Sequence, residues 1–332
     1  MKPRFWFGSI FVLAALLING GCSGTLAWLH DNVIVSEVRN ARPVPKFEVP
    51  VRDSSKRGVQ FIAVGDWGSG GKGQRLIAEA MAEKAKRDSV WFVLVLGDNF
   101  YQDGVASIQD EQWKTKFEEM YWQPSLQIPF YAVLGNHDYR TNPQAQVDYT
   151  GHSSRWRMPQ RYYSFVQPID SMYRIDFFCF DTYPLSDLSS EDVGQSRDTA
   201  GVLRQLQWLE EGLAGSTARW KIVMGHHALY SNGEHGNNKG LVTLLEPLFD
   251  RYDVDLYIAG HDHHQELLKP VRGVEYIVSG GGSIHRDVTW RSNTIYAATN
   301  LGFTWFRVTR DDLLVEFITK EGKVDFAHVI NK

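Results

Sequence analysis

The chain has 332 residues, 43% of them hydrophobic and 22% charged, which excludes a disordered chain and leaves ample length for a sizeable core. A formal net charge of −4 and the lack of any dense Lys/Arg block argue against a nucleic-acid partner. The two cysteines, Cys22 and Cys179, lie in an apolar N-terminal stretch and an apolar strand-like run, so the fold is not expected to depend on a disulfide.

At the N-terminus, Lys2 and Arg4 precede an apolar run over 5–18 and then small residues through Gly24. This order is the layout of an export signal. Cys22 after Gly20 and Gly21 has the form of a lipoprotein cleavage site, with Asn19 where Leu is usual. An uncleaved anchor is a third option, because no charge occurs over 5–29. Residues 1–27 therefore read as a signal peptide or membrane anchor, which places the chain in an exported or membrane-tethered class. Residues 28–57 read as an extended linker, with Pro43, Pro45 and Pro50 favouring open backbone. Residues 58–332 read as the globular domain.

Within that domain, 59–64 is a short β-rich apolar run. A helix is predicted over 75–87, with Leu76, Ile77, Ala80, Met81 and Ala85 inward. The wholly apolar 90–96 suits a strand buried on both faces. Further strands are predicted at 130–134, 162–166, 173–180, 220–224, 254–258, 274–278, 303–308, 313–318 and 324–330, and helices at 109–121, 203–212 and 241–252. Strands and helices alternate at first, and the chain ends with strands alone. This suits an α/β (α+β) domain in which two sheets pack together under helices. Sites on such sheets lie beyond the strand C-termini.

Five short motifs each follow an apolar strand. They are Gly65-Asp66-Trp67-Gly68, Gly97-Asp98-Asn99-Phe100-Tyr101, Gly135-Asn136-His137-Asp138, Gly225-His226-His227 and Gly260-His261-Asp262-His263-His264. Taken singly, each is weak: an Asp in a post-strand turn is usually turn chemistry, and a lone His is usually structural. Asp98 has two oxygens and could bridge two cations. Tyr101 could reach the same site if the chain curls back. His261 and His263, two apart in extended backbone, point the same way while Asp262 points elsewhere. Together the motifs collect carboxylates, an amide, imidazoles and a phenol, with no thiolate. That set disfavours structural zinc and suits hard or borderline cations. Two such cations about 3.5–4 Å apart form a clamp for displacement at phosphorus.

With these motifs in this order, the sequence resembles the calcineurin-like metallophosphoesterases, and more narrowly the small purple acid phosphatases of the tartrate-resistant type. The likeness runs from about residue 59 to the C-terminus. The Tyr of Gly-Asp-Asn-Phe-Tyr is its most specific part. The resemblance implies a four-layer sandwich, two mixed β-sheets flanked by helices, with 58–332 as the catalytic domain. It implies that Asp66, Asp98, Tyr101 and His263 hold Fe(III). Asp98 would bridge to a second divalent ion, Fe(II), Zn(II) or Mn(II), held also by Asn136, His226 and His261. His137 and His235 would face the substrate, a small-molecule phosphate monoester, and protonate its leaving group. A monomer is expected. The segment over 183–199 matches the family's repression loop in place but lacks its cysteines, and His227 and His264 stand where Tyr and Asn are common. The nearest alternative is a metallophosphodiesterase on the same fold, acting on cyclic nucleotides or phospholipid headgroups. A non-catalytic phosphate or metal binder is a third reading, although such chains should have lost ligands and none is missing here.

Overall fold

The computed structural model describes residues 46–48, 58–186 and 198–332. The predicted signal or anchor, most of the predicted linker and the middle of the 183–199 loop lie outside the described residues. Two compact units divide the chain. The larger, Val44–Arg197 with Leu209–Lys332, holds every strand among the described residues. The smaller is Met1–Pro43 with Asp198–Trp208, whose described part is the start of the helix Thr199–Ala214. Among the described residues, no helix is long and apolar enough to cross a membrane.

The larger unit contains two mixed sheets. One has seven strands in the order β15 (Val324–Asn331), β14 (Asp312–Thr319), β13 (Gly302–Val308), β2 (Val59–Val64), β3 (Phe92–Val95), β4 (Phe130–Ala132) and β5 (Trp156–Arg157). The other has eight: β1 (Lys46–Glu48), β6 (Tyr163–Pro168), β7 (Arg174–Cys179), β8 (Trp220–Met224), β9 (Leu256–Ala259), β11 (Val274–Ser279), β10 (Gln265–Val271) and β12 (Thr294–Ala298). β2, β3 and β4 run parallel, and so do β7, β8 and β9. Their C-terminal ends therefore release the chain at one edge of each sheet, which is where all five motifs fall.

Aromatic side chains hold the sheets together. Phe61, Phe92 and Tyr131 alternate inward from one sheet, and Phe165 and Phe177 from the other. Tyr131 stacks on Phe165 with centroids 3.8 Å apart, while Phe177 meets Phe61 and Phe92 edge-on at 5.4 and 5.5 Å. Each such ring buries a large apolar area, and edge-to-face pairs add about 0.5–1.5 kcal/mol beyond it. The expected sandwich of two packed sheets flanked by helices is thus observed.

The structure changes several predicted elements. The predicted helix over 109–121 is a π-helical turn at Trp113–Glu118, held by the Glu119 amide donating to the Lys114 carbonyl. The helix Lys72–Asp88 buries Ile77, Ala80, Met81 and Ala85 but also Lys84, whose Nζ lies 2.6 Å from Glu316 and 3.7 Å above the Trp305 ring. β10 and β12 were not predicted. β10 opens on buried Gln265 and Glu266 and carries Pro270, so hydropathy alone does not mark it. Lys46–Glu48, inside the predicted linker, forms an edge strand that pairs in parallel with Ser164–Val166 of β6.

Candidate metal centre

Three motif glycines, Gly97, Gly135 and Gly260, make room for side chains of other motifs, namely His226, Asp98 and Asp66. A Cβ on Gly135 would lie 2.2 Å from Asp98 Oδ1, so only glycine lets that carboxylate sit there. Asp66, Asp98 and His261 adopt left-handed φ values of 58°, 50° and 70° directly after their strands. A side-chain-bearing residue there costs of order 1–3 kcal/mol, and such outliers concentrate at functional sites.

The loops meet across the two sheets. The His261 amide donates to Asp66 Oδ2 at 2.8 Å, and the His137 amide donates to Asp98 Oδ1 at 3.0 Å. Tyr101 curls back, its hydroxyl 3.1 Å from Asp66 Oδ1 and 3.2 Å from His263 Nε2. Asp66, Asp98 and His263 each bring a ligand atom within 4.8 Å of the others. On the far side of Asp98, His226 Nε2 lies 3.5 Å from Asp98 Oδ1, 3.1 Å from Asn136 Oδ1 and 3.2 Å from His261 Nδ1. All seven sequence-predicted ligands are thus brought together, in two groups that share Asp98. His227 was not among them, yet it offers a nitrogen within 4.8 Å of His226 and His261. Its Nδ1 is 2.9 Å from the Thr182 hydroxyl.

The polar atoms of this cluster suit cations. His226 Nδ1 lies 2.8 Å from the Leu96 carbonyl, an acceptor only, so that nitrogen carries a proton. In the neutral ring Nε2 is then an acceptor, and it faces the acceptors Asn136 Oδ1 and Asp98 Oδ1. Acceptors converging on acceptors need a proton or a metal ion between them. Asp66 and Asp98 are buried, and among the described residues no Lys or Arg pairs with either. Burial acts to raise Asp66, but the His263 hydrogen bond and the charges of His226 and His263 hold it below the usual carboxylate range. Burial acts to lower His226, yet Asp98 and Asp66 keep it above the usual imidazole value. Burial, with Asp66 and Asp98, pushes the Tyr101 phenol well above its usual value, so only a strongly charged cation would ionise it. His261 is driven well down by burial and by its histidine neighbours, which leaves a neutral imidazole, the form that binds metal.

His137 and His235 flank the cluster. His137 Nδ1 is 2.5 Å from the Gln102 carbonyl, which leaves Nε2 facing Asp98 Oδ2 at 3.9 Å. His235 is exposed and stacks on His261 with centroids 4.1 Å apart. His235 lines a cleft with Asn136, Arg140, Tyr183, His227, Asn238 and His261.

Some residues carry weight that the sequence did not reveal. Asp138 is buried and accepts amide protons from Gly135 at 2.8 Å, Asn99 at 3.1 Å and Phe100 at 3.2 Å, with Gln146 Nε2 at 2.8 Å. It ties the Asp98 loop to the Asn136 loop. Its place in Gly-Asn-His-Asp was visible, but its partners come from distant segments. Asp262 points away from the cluster, as its alternation predicted, and accepts from the Ser231 hydroxyl and the His235 amide.

A model of the calcineurin-like phosphoesterase family matches residues 59–265. The chain is 36% identical to purple acid phosphatase 4 of Arabidopsis thaliana, over 97% of this chain and 94% of that one. It is 32% identical to tartrate-resistant acid phosphatase type 5 of Oryctolagus cuniculus, over 83% of this chain and 91% of that one. Among solved structures, GAP50, described as the anchor in the inner membrane complex of Plasmodium, aligns with a TM-score of 0.75 at 27% identity, over 83% of this chain and 89% of that one. The purple acid phosphatase PPD1 from yellow lupin shares the fold, with a TM-score of 0.62 at 16% identity, over 82% of this chain and 53% of that one. The fold and the site define a calcineurin-like metallophosphoesterase. Within that class the chain belongs to the purple acid phosphatases, metal-dependent hydrolases of phosphoric monoesters.

Proposed function

We propose that the chain is an acid phosphatase with a dinuclear centre held by Asp66, Asp98, Tyr101, Asn136, His226, His261 and His263. Fe(III) would lie in the group with Tyr101, and a divalent Fe, Zn or Mn ion in the group with Asn136, with Asp98 shared. The observation that carries the reading is the meeting of acceptor with acceptor at His226, Asn136 and Asp98, beside a buried phenol that ionises only near strong positive charge. When bound, such a pair offsets charge on the phosphoryl group and makes a nucleophile available from water at acidic pH.

The chain's own groups do the rest. Asn136, His137 and Asp98 sit on linked loops beside the place between the two ligand groups where the ester would lie. His137, oriented by the Gln102 carbonyl, and His235, stacked on His261, stand where a departing alcohol would need a proton. GAP50 shows that this fold also serves an anchor, so fold alone does not decide catalysis. The complete ligand set favours the enzyme.

The test is metal analysis with a visible spectrum. Iron near one equivalent, a second metal, and a phenolate charge-transfer band lost in Tyr101→Phe are expected. A colourless protein, fully active with Mn²⁺ alone and indifferent to Tyr101→Phe, would remove Fe(III). Faster turnover of bis(4-nitrophenyl) phosphate than of 4-nitrophenyl phosphate would favour a diesterase instead. Residues 1–27 act as an export signal or membrane anchor and 28–57 as a tether for a monomeric extracytoplasmic domain. This part rests on the basic-then-apolar order of the N-terminus, and recovery of the full chain in the cytosol would refute it.

A further inference from the structure

The segment 261–266 alternates in a way the metal-ligand role does not use up. His261 and His263 turn toward the ligand groups, and Gln265 on the same side donates to the Phe303 carbonyl at 2.8 Å. Asp262, His264 and Glu266 face the other way and meet the loop 231–235, which carries His235. Asp262 Oδ1 accepts the His235 amide at 3.0 Å, and Oδ2 accepts the Ser231 hydroxyl. Glu266, fully buried, accepts the Asn232 amide at 3.0 Å and its side-chain Nδ2 at 2.8 Å. His264 Nε2 lies 3.2 Å from Glu266 Oε2. Between them, Gly233 passes so close that a Cβ would sit 2.5 Å from His264 Cε1 and 2.8 Å from Asp262 Cγ.

A buried carboxylate is costly unless fully hydrogen-bonded, and an apolar side chain at position 266 would avoid that cost. The oxygens of Glu266 are satisfied by the loop and by His264, with no Lys or Arg paired to it among the described residues. We propose that Asp262, His264 and Glu266 are positioning residues that hold His235 against the reaction site. One six-residue stretch would then set two metal ligands and, through its other face, the proton donor. The proposal rests on the reading of His235 as a donor to the leaving group.

The test uses two esters. The leaving group of 2,4-dinitrophenyl phosphate departs without a proton, whereas that of glycerol 2-phosphate needs one. Glu266→Gln presents an amide N–H to the loop's own donors. It is expected to lower kcat/KM for glycerol 2-phosphate by about 10–100-fold, the usual range for a lost supporting partner. For the dinitrophenyl ester, which needs no general acid, the loss should stay below about threefold. In a His235→Ala background the Glu266→Gln effect should vanish, because both changes act through one group. Asn232→Ser, which removes an amide from the other half of the contact, should behave alike and serves if Glu266→Gln does not fold. Equal losses on both esters, or the same factor in both backgrounds, overturns the positioning role. If His235→Ala itself fails to separate the esters, the proton-donor reading falls and the proposal with it. If His235→Ala separates them and neither outer variant does, only the positioning role falls.

Discussion

Asp66, Asp98 and His261 sit at positive φ, where L-residues are strained. Gly260 leaves room for the Asp66 carboxylate, and Gly135 for that of Asp98. Because a Cβ at Gly135 would overlap Asp98 Oδ1, Gly135→Ala must displace that shared carboxylate. The expected result is a loss of about 10–100-fold in metal affinity with the fold retained, read by metal content after dialysis. Unchanged metal content would show that the loop can shift freely. Away from the centre, Glu275 is buried on β11, and burial pushes its carboxyl up to about 7 from 4.5. A raised carboxyl stabilises the fold fully below its unfolded value and loses that contribution as pH climbs through the folded one. Melting temperature should therefore fall between about pH 4.5 and 7, and Glu275→Gln should flatten part of that slope. A slope identical in both proteins would exclude Glu275 as its source.

At the scale of elements, rings from the two sheets pack directly against one another. Phe177 on β7 stacks with Phe165 at 4.6 Å and meets Phe61 and Phe92 edge-on, so it touches both sheets at once. Phe177→Ala should cost about 3–5 kcal/mol in denaturant unfolding, as large-to-small changes in tight cores do. Because β7 pairs with β8, which ends at the His226 loop, the same variant should also weaken metal retention. A stability loss below about 1 kcal/mol would mean the gap refills by repacking.

For the whole molecule, the centre joins loops from both sheets, so metal binding and folding are linked. Two buried carboxylates and the facing acceptors of His226 and Asn136 need a cation or protons between them. Removing the metals with a chelator should lower the melting temperature, and at free cation about 1,000 times Kd the linkage is about 4 kcal/mol. Calorimetry before and after dialysis measures it. Identical transitions would show that these residues hold no ion in the folded state.

The sequence by itself determined the strand-end motifs, because glycine turn chemistry and apolar runs are local properties. It also determined the family, since Gly-Asp-Asn-Phe-Tyr carries its distinguishing Tyr101 within five residues. The π turn at Trp113–Glu118 was not legible, since its apolar spacing looks like that of an α-helix. β10 was hidden too, because its buried Gln265 and Glu266 are polar. Tertiary structure alone decided which loops face one another, since that depends on sheet order and register across long separations. It decided that Asp138 braces two loops, and that Asp262, His264 and Glu266 grip the segment bearing His235. Those contacts join residues 27 to 39 positions apart, and no local pattern encodes them.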